Sequence, residues 1–327
     1  MSVINVEHLS KEFILSKRMR RKNNRDSFHT KRISNVKAVD NISFSIEQGE
    51  IFGFLGPNGA GKTTTIRMLT GVLKPTNGDI FIFGQNFWEN HIAIKQRIGN
   101  IPEMANIYMD LSGFQNLDFI GEIYGLSKQI RKQRALELLK LFDLFEKRDL
   151  KAKAYSKGMK QRLLLSMALI SEPEILFLDE PISGLDVQSS RIIKELIKDY
   201  NRKGTTLFLT AHDMDVANEL CDRIAIIDKG KIIGLDTPNN IRKIVQDYQA
   251  LDCQFEGTPK IDELESLNAV KHVEQFNNNY HVVVENINDG ICQLIDFINL
   301  NGLKIKNLST YQPHLEDAFL KLIEGGS

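Results

Sequence analysis

The chain has no net charge, few cysteines and no long apolar run, and each absence excludes a class of protein. Its 327 residues carry 42 Lys and Arg against 42 Asp and Glu, so the overall charge does not favour an acidic partner. The cysteines Cys221, Cys253 and Cys292 form no C-x-x-C pair. This argues against a zinc site or a disulfide framework and predicts buried free thiols in a reducing compartment.

Targeting and membrane-spanning signals are also missing. The first residues, MSVINVEHLSKEF, lack the apolar segment of a signal peptide. No run approaches the roughly 18 apolar residues that a membrane-spanning helix needs. We therefore expect a cytoplasmic protein that can serve a membrane only through a partner.

Short apolar strands alternate with helices through residues 1–240, and this order predicts an α/β domain with a mostly parallel core sheet. Two segments of alternating polarity, 2–13 and 39–50, are predicted to form antiparallel edge strands. The strongly basic segment between them, residues 16–35, is interpreted as an exposed loop inserted into the domain. Residues from about 100 to 170 are predicted to form a helical subdomain.

The composition changes near residue 250, where a second pattern of elements begins. Strands and helices are predicted in the order β-α-β-β-α-β over residues 251–309, followed by a helix over 314–323, which is a ferredoxin-like α+β order. The run Asn277–Asn279 is typical of a hairpin turn. No cluster of catalytic residue types lies in this small accessory domain, residues 250–327, so we expect a packing or regulatory role.

The segment GPNGAGKT, residues 56–63, matches the phosphate-loop pattern G-x-x-x-x-G-K-[ST] in full. A strand is predicted before it and a helix after it, which argues against a chance glycine-rich turn. We expect Lys62 to reach the β and γ phosphates, the Thr63 hydroxyl to bind Mg²⁺ and Thr64 to bind an α-phosphate oxygen. The predicted phosphate-binding residues are Gly56, Pro57, Asn58, Gly59, Ala60, Gly61, Lys62, Thr63 and Thr64.

Polar side chains also end two later strands. In EILFLDE, Asp179 is expected to hold the hydration shell of Mg²⁺ and Glu180 to act as the general base that activates water. An acidic pair after an apolar strand is more often a pair of ordinary helix N-terminal acids. The phosphate loop upstream is what favours the catalytic interpretation here. His212 ends the next strand, where it is either a structural histidine or a partner of the γ-phosphate and Glu180.

These motifs occur in the order and spacing of one family. The chain resembles the nucleotide-binding subunit of an ABC transporter, in particular the export-type subfamily of drug and sodium efflux ATPases. GPNGAGKT corresponds to its Walker A motif, ILFLDE to Walker B, SGLD (Ser183–Asp186) to the D-loop and YSKGM to the signature motif. The resemblance implies that two subunits pack head to tail around two ATP with Mg²⁺. Ser156 and Gly158 of one subunit then grip the γ-phosphate held by the partner's Lys62, and Asp186 belongs to the same ATP site.

The chain departs from the family pattern at several positions. Lys157 replaces the usual second signature glycine, and it either adds charge near phosphate or points to solvent. Met159 replaces the usual glutamine. Glu103 stands where the family has the Q-loop glutamine and is expected to accept from Mg²⁺-bound water. Phe13 occupies the position of the aromatic residue that stacks on adenine, and the alternative is that it is a core phenylalanine. The basic segment 16–35 either contacts anionic lipid or is a solvated loop.

The resemblance implies an ATP-hydrolysing subunit that powers export of an unidentified substrate through a separate integral-membrane permease, as a homodimer or with a related subunit. The alternative is a soluble ATPase of the same type acting on ribosomes or DNA. Such proteins usually carry two cassettes or long coiled coils, and the basic segment is too short and too poor in aromatic residues to indicate nucleic acid. Glu180 speaks against a third alternative, a regulator that binds nucleotide without hydrolysis.

Overall fold

The computed structural model describes residues 2–18, 31–102, 107–244, 249–311 and 315–325, and for 15–18, 31–34 and 324–325 the backbone alone. The chain divides into two compact units, Met1–Pro238 and Asn239–Ser327. Within the described ranges, no helix combines the length and apolar character needed to cross a membrane.

The first unit alternates strands with helices. Its strands are β1 (Ser2–Arg18), β2 (Lys31–Glu47), β3 (Ile51–Leu55), β4 (Asn77–Ile82), β5 (Gln85–Asn86), β6 (Ile98–Ile101), β7 (Ile175–Asp179), β8 (Thr206–Ala211), β9 (Arg223–Asp228) and β10 (Lys231–Asp236). Its helices are α1 (Lys62–Leu69), α2 (His91–Gln96), α3 (Gly113–Ile123), α4 (Lys128–Leu141), α5 (Lys157–Leu169), α6 (Val187–Arg202) and α7 (Met214–Leu220).

The central sheet confirms the predicted α/β fold. Its strand order is β10-β9-β3-β8-β7-β6, and every neighbouring pair is parallel except β9 and β10. Strands β3, β7 and β8 are buried along their whole length, as expected for parallel strands covered on both faces. The carboxyl ends of these three strands therefore meet at one edge of the sheet, where ligands bind in such folds.

A second, antiparallel sheet has the order β2-β1-β4-β5, as the predicted edge strands require. It shares one hydrophobic core with the central sheet. Phe44 of β2 stacks on Phe52 of β3, with ring centroids 5.5 Å apart, and both rings lie near Phe208 of β8. Burying rings of this size contributes much of the core energy, so the strand that precedes the phosphate loop is held on a rigid base.

The predicted loop at residues 16–35 is wrong at both ends. β1 and β2 pair as an antiparallel ladder as far as Arg18 and Lys31, so residues 16–18 and 31–35 are strand. Backbone hydrogen bonds extend an antiparallel ladder whatever the charge of the side chains, and a reading of periodicity alone misses this. The remainder of the prediction, residues 19–30, falls outside the described residues.

The second unit has the ferredoxin-like order that the sequence predicts. After α8 (Pro238–Lys243), which spans the boundary between the units, come β11 (Gln249–Glu256), α9 (Ile261–Glu265), β12 (Val270–Phe276), β13 (Asn279–Val284), α10 (Ile287–Asn301), β14 (Lys304–Thr310) and α11 (Leu315–Gly325). The sheet order is β12-β13-β11-β14, with all neighbours antiparallel. Its core includes Leu251 of β11 and Val282 of β13 together with Leu294 of α10.

All three cysteines are free thiols, but one expectation about them is wrong. Cys221 and Cys253 are buried, whereas Cys292, on the outer side of α10, is exposed. Burial raises the pKa of the Cys253 thiol to about 12 and also raises that of Cys221. Both buried thiols are therefore protonated and unreactive at neutral pH.

Candidate functional site

The phosphate loop joins β3 to α1 and depends on glycine at defined positions. Gly61 has a φ of 114°, and a Cβ added there would lie 2.5 Å from the carbonyl oxygen of Ala38. A Cβ on Gly56 would lie 2.3 Å from the carbonyl oxygen of Ile227. Only glycine fits this conformation and this close approach. The loop therefore presents backbone N–H groups at the positive end of the α1 dipole.

Lys62 is the first residue of α1, and its side chain is only 6% exposed. Its Nζ donates to the carbonyl oxygens of Gly56, at 2.6 Å, and Pro57, at 3.2 Å. The same Nζ lies 3.9 Å from Oε1 of Glu180. The loop carbonyls thus hold a buried positive charge at the centre of the site, facing the carboxylate at the end of β7.

Thr210 of β8 links the two acidic residues at the end of β7. Its hydroxyl donates to Oδ1 of Asp179 at 2.6 Å and accepts from the backbone N–H of Glu180 at 3.0 Å. Asp179 is 3% exposed, so this hydrogen bond orients a carboxylate that has little access to water. The parallel register of β7 and β8, which places Asp179 opposite Thr210, makes the contact possible.

Glu180 has a left-handed backbone, with a φ of 50°. This conformation costs a non-glycine residue about 1–2 kcal/mol, and such residues concentrate at functional sites. It directs the side chain so that Oε2 lies 3.2 Å from Nδ1 of His212, while Oε1 faces Lys62. His212 follows the end of β8 and its side chain is 55% exposed, so the histidine faces the cleft and not the core.

Lys62, Glu180 and His212 line a cleft of about 640 Å³ at the carboxyl edge of the parallel sheet. The lining residues are Ala38, Pro57, Asn58, Gly59, Gly61, Lys62, Thr63, Thr64, Glu180, Ser183 and His212. Nine of them were predicted from the sequence. Ala38 and Ser183 were missed as lining residues: Ser183 lies in the quoted SGLD segment, whereas nothing in the sequence marks Ala38. Gly56, Ala60 and Asp179 lie beneath the lining, all three buried.

The donor set fits Mg²⁺. Thr63 offers a hydroxyl at the start of α1 and Asp179 a carboxylate at the end of β7, both oxygen ligands of the kind a hard cation prefers. In the described part of the chain, no cluster of three or more His, Cys, Asp or Glu could hold a metal by itself. Two protein ligands, with phosphate and water supplying the rest, is the usual arrangement for Mg²⁺. Glu103, the third predicted ligand, lies outside the described residues.

The predicted signature residues lie away from this cleft. Ser156 is the N-cap of α5, and its hydroxyl accepts from the backbone N–H of Met159 at 3.2 Å. Gly158 is buried against α6, where an added Cβ would lie 2.4 Å from Oγ of Ser189. The cleft-lining residues include none from α5. The exposed N-terminus of α5 therefore faces a different part of the surface from the phosphate loop of its own chain.

Two further predicted residues have structural contacts outside the cleft. The Asp186 carboxylate is the N-cap of α6 and accepts from both the backbone N–H and the hydroxyl of Ser189, each at 2.8 Å. These hydrogen bonds lower the pKa of the Asp186 carboxyl. Phe13 lies on β1 opposite Val36, is 37% exposed and has Lys11 Nζ 5.5 Å from its ring centroid. It is therefore not the core phenylalanine that was the alternative.

Comparison with known proteins agrees with this geometry. A family model described as ABC transporter matches residues 39–183. The bacitracin transport ATP-binding protein of Bacillus licheniformis is 36% identical over 312 residues, which is 91% of this chain and 96% of that protein. A fluoroquinolones export ATP-binding protein of Mycobacterium tuberculosis (strain CDC 1551 / Oshkosh) is 39% identical over 220 residues, covering 67% and 71%. A solved ATP-binding subunit of an ABC transporter is 26% identical with a TM-score of 0.62, covering 75% of this chain and 94% of that one.

Proposed function

We propose, from the premise that this chain belongs to the ABC transporter ATP-binding proteins, that it hydrolyses ATP in a head-to-tail dimer and drives export through a separate membrane permease. One observation carries the catalytic part of the proposal. Lys62, Glu180 and His212 come from three different elements and converge on one cleft that the phosphate loop borders.

The residues divide the chemistry among them. The phosphate loop and Lys62 bind and orient the phosphates, and Thr63 with Asp179 would hold Mg²⁺, which neutralises negative charge when bound. Glu180 orients the attacking water and accepts its proton at a carboxylate oxygen. His212 keeps Glu180 in place through the 3.2 Å contact and donates toward the γ-phosphate. A positioned general base of this kind contributes roughly 10²–10⁴-fold to the rate.

The position of the signature residues supports the proposed dimer. Ser156 and Gly158 do not line their own cleft, so they serve a nucleotide only if a second subunit presents one. Val187, next to the D-loop, is 89% exposed. Pairing along this surface would bury an apolar side chain that otherwise faces water. Because the chain has one set of motifs, the second subunit is another copy or a related protein.

The permease contact is proposed at the helical region. An exposed group of large apolar side chains lies at and before α3 and consists of Tyr108, Met109, Phe119 and Ile123. The rings of Tyr108 and Phe119 meet edge to face, 4.9 Å between centroids, which makes a rigid apolar surface suited to a permease loop. The subunit would then sit at the cytoplasmic face of the membrane. Relatives named for bacitracin transport and fluoroquinolone export support the export direction. Which substrate is exported would be determined by the permease.

The test is to compare Glu180→Gln with Glu195→Gln, an exposed glutamate on α6 outside the cleft. Glu180→Gln removes the proton acceptor but keeps the shape of the side chain. We expect turnover to fall at least about 100-fold, with ATP still bound and the dimer accumulating on size-exclusion chromatography. Glu195→Gln should match the wild type. Wild-type turnover in Glu180→Gln would remove Glu180 from its role, and a full specific rate at dilutions where only monomer exists would exclude the shared site.

The transport part is tested by co-expression with a candidate permease. We expect the chain to be recovered in the membrane fraction only when the permease is present, and Ile123→Asp to reduce this recovery without reducing ATP binding. If the chain stays out of the membrane fraction even when the permease is present, the soluble ATPase is favoured.

A further inference from the structure

Lys157 connects the start of α5 to the turn Ser183–Asp186, which leads into α6. Its Nζ donates to the carbonyl oxygen of Gly184 at 2.6 Å. Gly184 has a φ of 65°, and a Cβ added to it would lie 2.4 Å from the same Nζ. Although Lys157 is an exposed residue, its ammonium group therefore lies against the backbone of the turn and does not line the phosphate cleft of its own chain.

Two other residues of α5 contact the same segment on either side of Gly184. Gly158 packs against Ser189, which donates two hydrogen bonds to the carboxylate of Asp186, the N-cap of α6. The Nε2 of Gln161 donates to the carbonyl oxygen of Pro181 at 2.9 Å. Contacts from Lys157, Gly158 and Gln161 thus hold the segment before, within and after the turn, and Lys157 alone reaches its middle.

The turn is also part of the phosphate cleft. Ser183 lines the cleft, and its backbone N–H donates to the carbonyl oxygen of Glu180 at 3.2 Å. A displacement of the turn would therefore reach the backbone of the proposed general base. The 2.6 Å contact joins this turn to the helix end that, in the proposed dimer, approaches the nucleotide of the partner subunit.

We propose that Lys157 is a positioning residue for hydrolysis. It fixes the turn Ser183–Asp186 to the N-terminus of α5, so that docking of α5 on the partner's nucleotide and placement of Ser183 and Glu180 in the subunit's own cleft occur together. This rests on the proposed dimeric ATPase.

The experiment compares Lys157→Ala, Lys157→Arg and Lys160→Ala in the full chain. Lys160 lies one turn further along α5, and its ammonium group contacts no acceptor among the described residues, so Lys160→Ala removes the same charge from the same helix. Two quantities are measured: amide hydrogen exchange of the peptide covering 181–189, and kcat with KM for ATP.

For Lys157→Ala we expect faster exchange in 183–186 and a kcat lowered about three- to tenfold with KM nearly unchanged, as for loss of one solvent-exposed hydrogen bond. Lys157→Arg keeps a charged donor and should restore both quantities, while Lys160→Ala should change neither. Gly184→Ala should also lower kcat, but less in the Lys157→Ala background, because the added Cβ then meets no ammonium group.

Each contrary result has a distinct meaning. Unchanged exchange in Lys157→Ala overturns the positioning role whatever the activity. Faster exchange with wild-type kcat overturns the link to hydrolysis. A large rise in KM with kcat preserved shows that Lys157 contacts nucleotide directly and also overturns the proposal. If wild-type chain hydrolyses no ATP at any protein concentration while exchange in 183–186 still responds to Lys157→Ala, the contact stands and the proposed function fails.

Discussion

Replacing Thr210 with valine removes one hydroxyl from the buried end of β8 and keeps the shape of the side chain. That hydroxyl donates to Asp179 and accepts from the backbone N–H of Glu180. The first is a hydrogen bond to a charged group, worth about 1.5–3 kcal/mol. Losing the second leaves a part-buried donor unsatisfied, which costs about 1–3 kcal/mol. Because the two effects overlap at one site, we expect Thr210→Val to lower the free energy of unfolding by about 2–4 kcal/mol.

The same strand supplies the control. Thr206, at the other end of β8, is equally buried, and its hydroxyl accepts from the backbone N–H of Gly49 at 2.9 Å. Thr206→Val breaks a neutral hydrogen bond far from the cleft and should cost about 1 kcal/mol. Urea unfolding of the two variants, followed by tryptophan fluorescence or circular dichroism, measures the difference.

Activity separates the two variants further. The backbone of Glu180 is strained, and its N–H loses its acceptor in Thr210→Val but not in Thr206→Val. We expect kcat of Thr210→Val to fall about tenfold, equivalent to about 1.4 kcal/mol, with KM for ATP little changed. Equal losses of stability in the two variants, or full activity in Thr210→Val, would refute the argument that this hydroxyl organises the site.

Three further predictions test separate features. Gly61→Ala should abolish ATP binding in calorimetry, because its Cβ meets a carbonyl oxygen, whereas Gly84→Ala, with φ of 73° but nothing within 4 Å, should bind normally. The pKa of the Asp186 carboxyl is lowered in the folded state. The contribution of this carboxylate to stability is therefore complete above the ordinary pKa of 3.8 and is lost as the pH falls through the lowered pKa. The melting temperatures of wild type and Asp186→Ala should converge in that acid range. In native protein, Cys292 should react quickly with a thiol reagent while the two buried cysteines react only after unfolding, as peptide mass spectrometry will show.

The sequence was informative where a motif imposes local backbone geometry. The phosphate loop, the acidic residues at the end of β7 and His212 could be predicted because glycine spacing and strand-end position constrain them directly. The ferredoxin-like order of the second unit could also be predicted, since its strands and helices have clear periodicity.

Features that depend on which strand pairs with which could not be predicted in the same way. Ala38 enters the cleft because β2 packs beside the phosphate loop, as the approach of its carbonyl to Gly61 shows. Thr210 matters through its register with Asp179, and a threonine in an apolar strand looks unremarkable in sequence. The length of the β1–β2 hairpin was missed because ladder formation does not require alternating polarity.

The left-handed backbone of Glu180 sets stability and activity against each other. Glycine or asparagine would adopt a φ of 50° with less strain than glutamate does. A library of variants selected for heat resistance alone should therefore lose the glutamate at this position and become inactive. Selection for ATP turnover should restore the glutamate, and part of the gained heat resistance should then be lost. A thermostabilised version of this subunit accordingly has to obtain its stability elsewhere, at positions whose backbone is already relaxed.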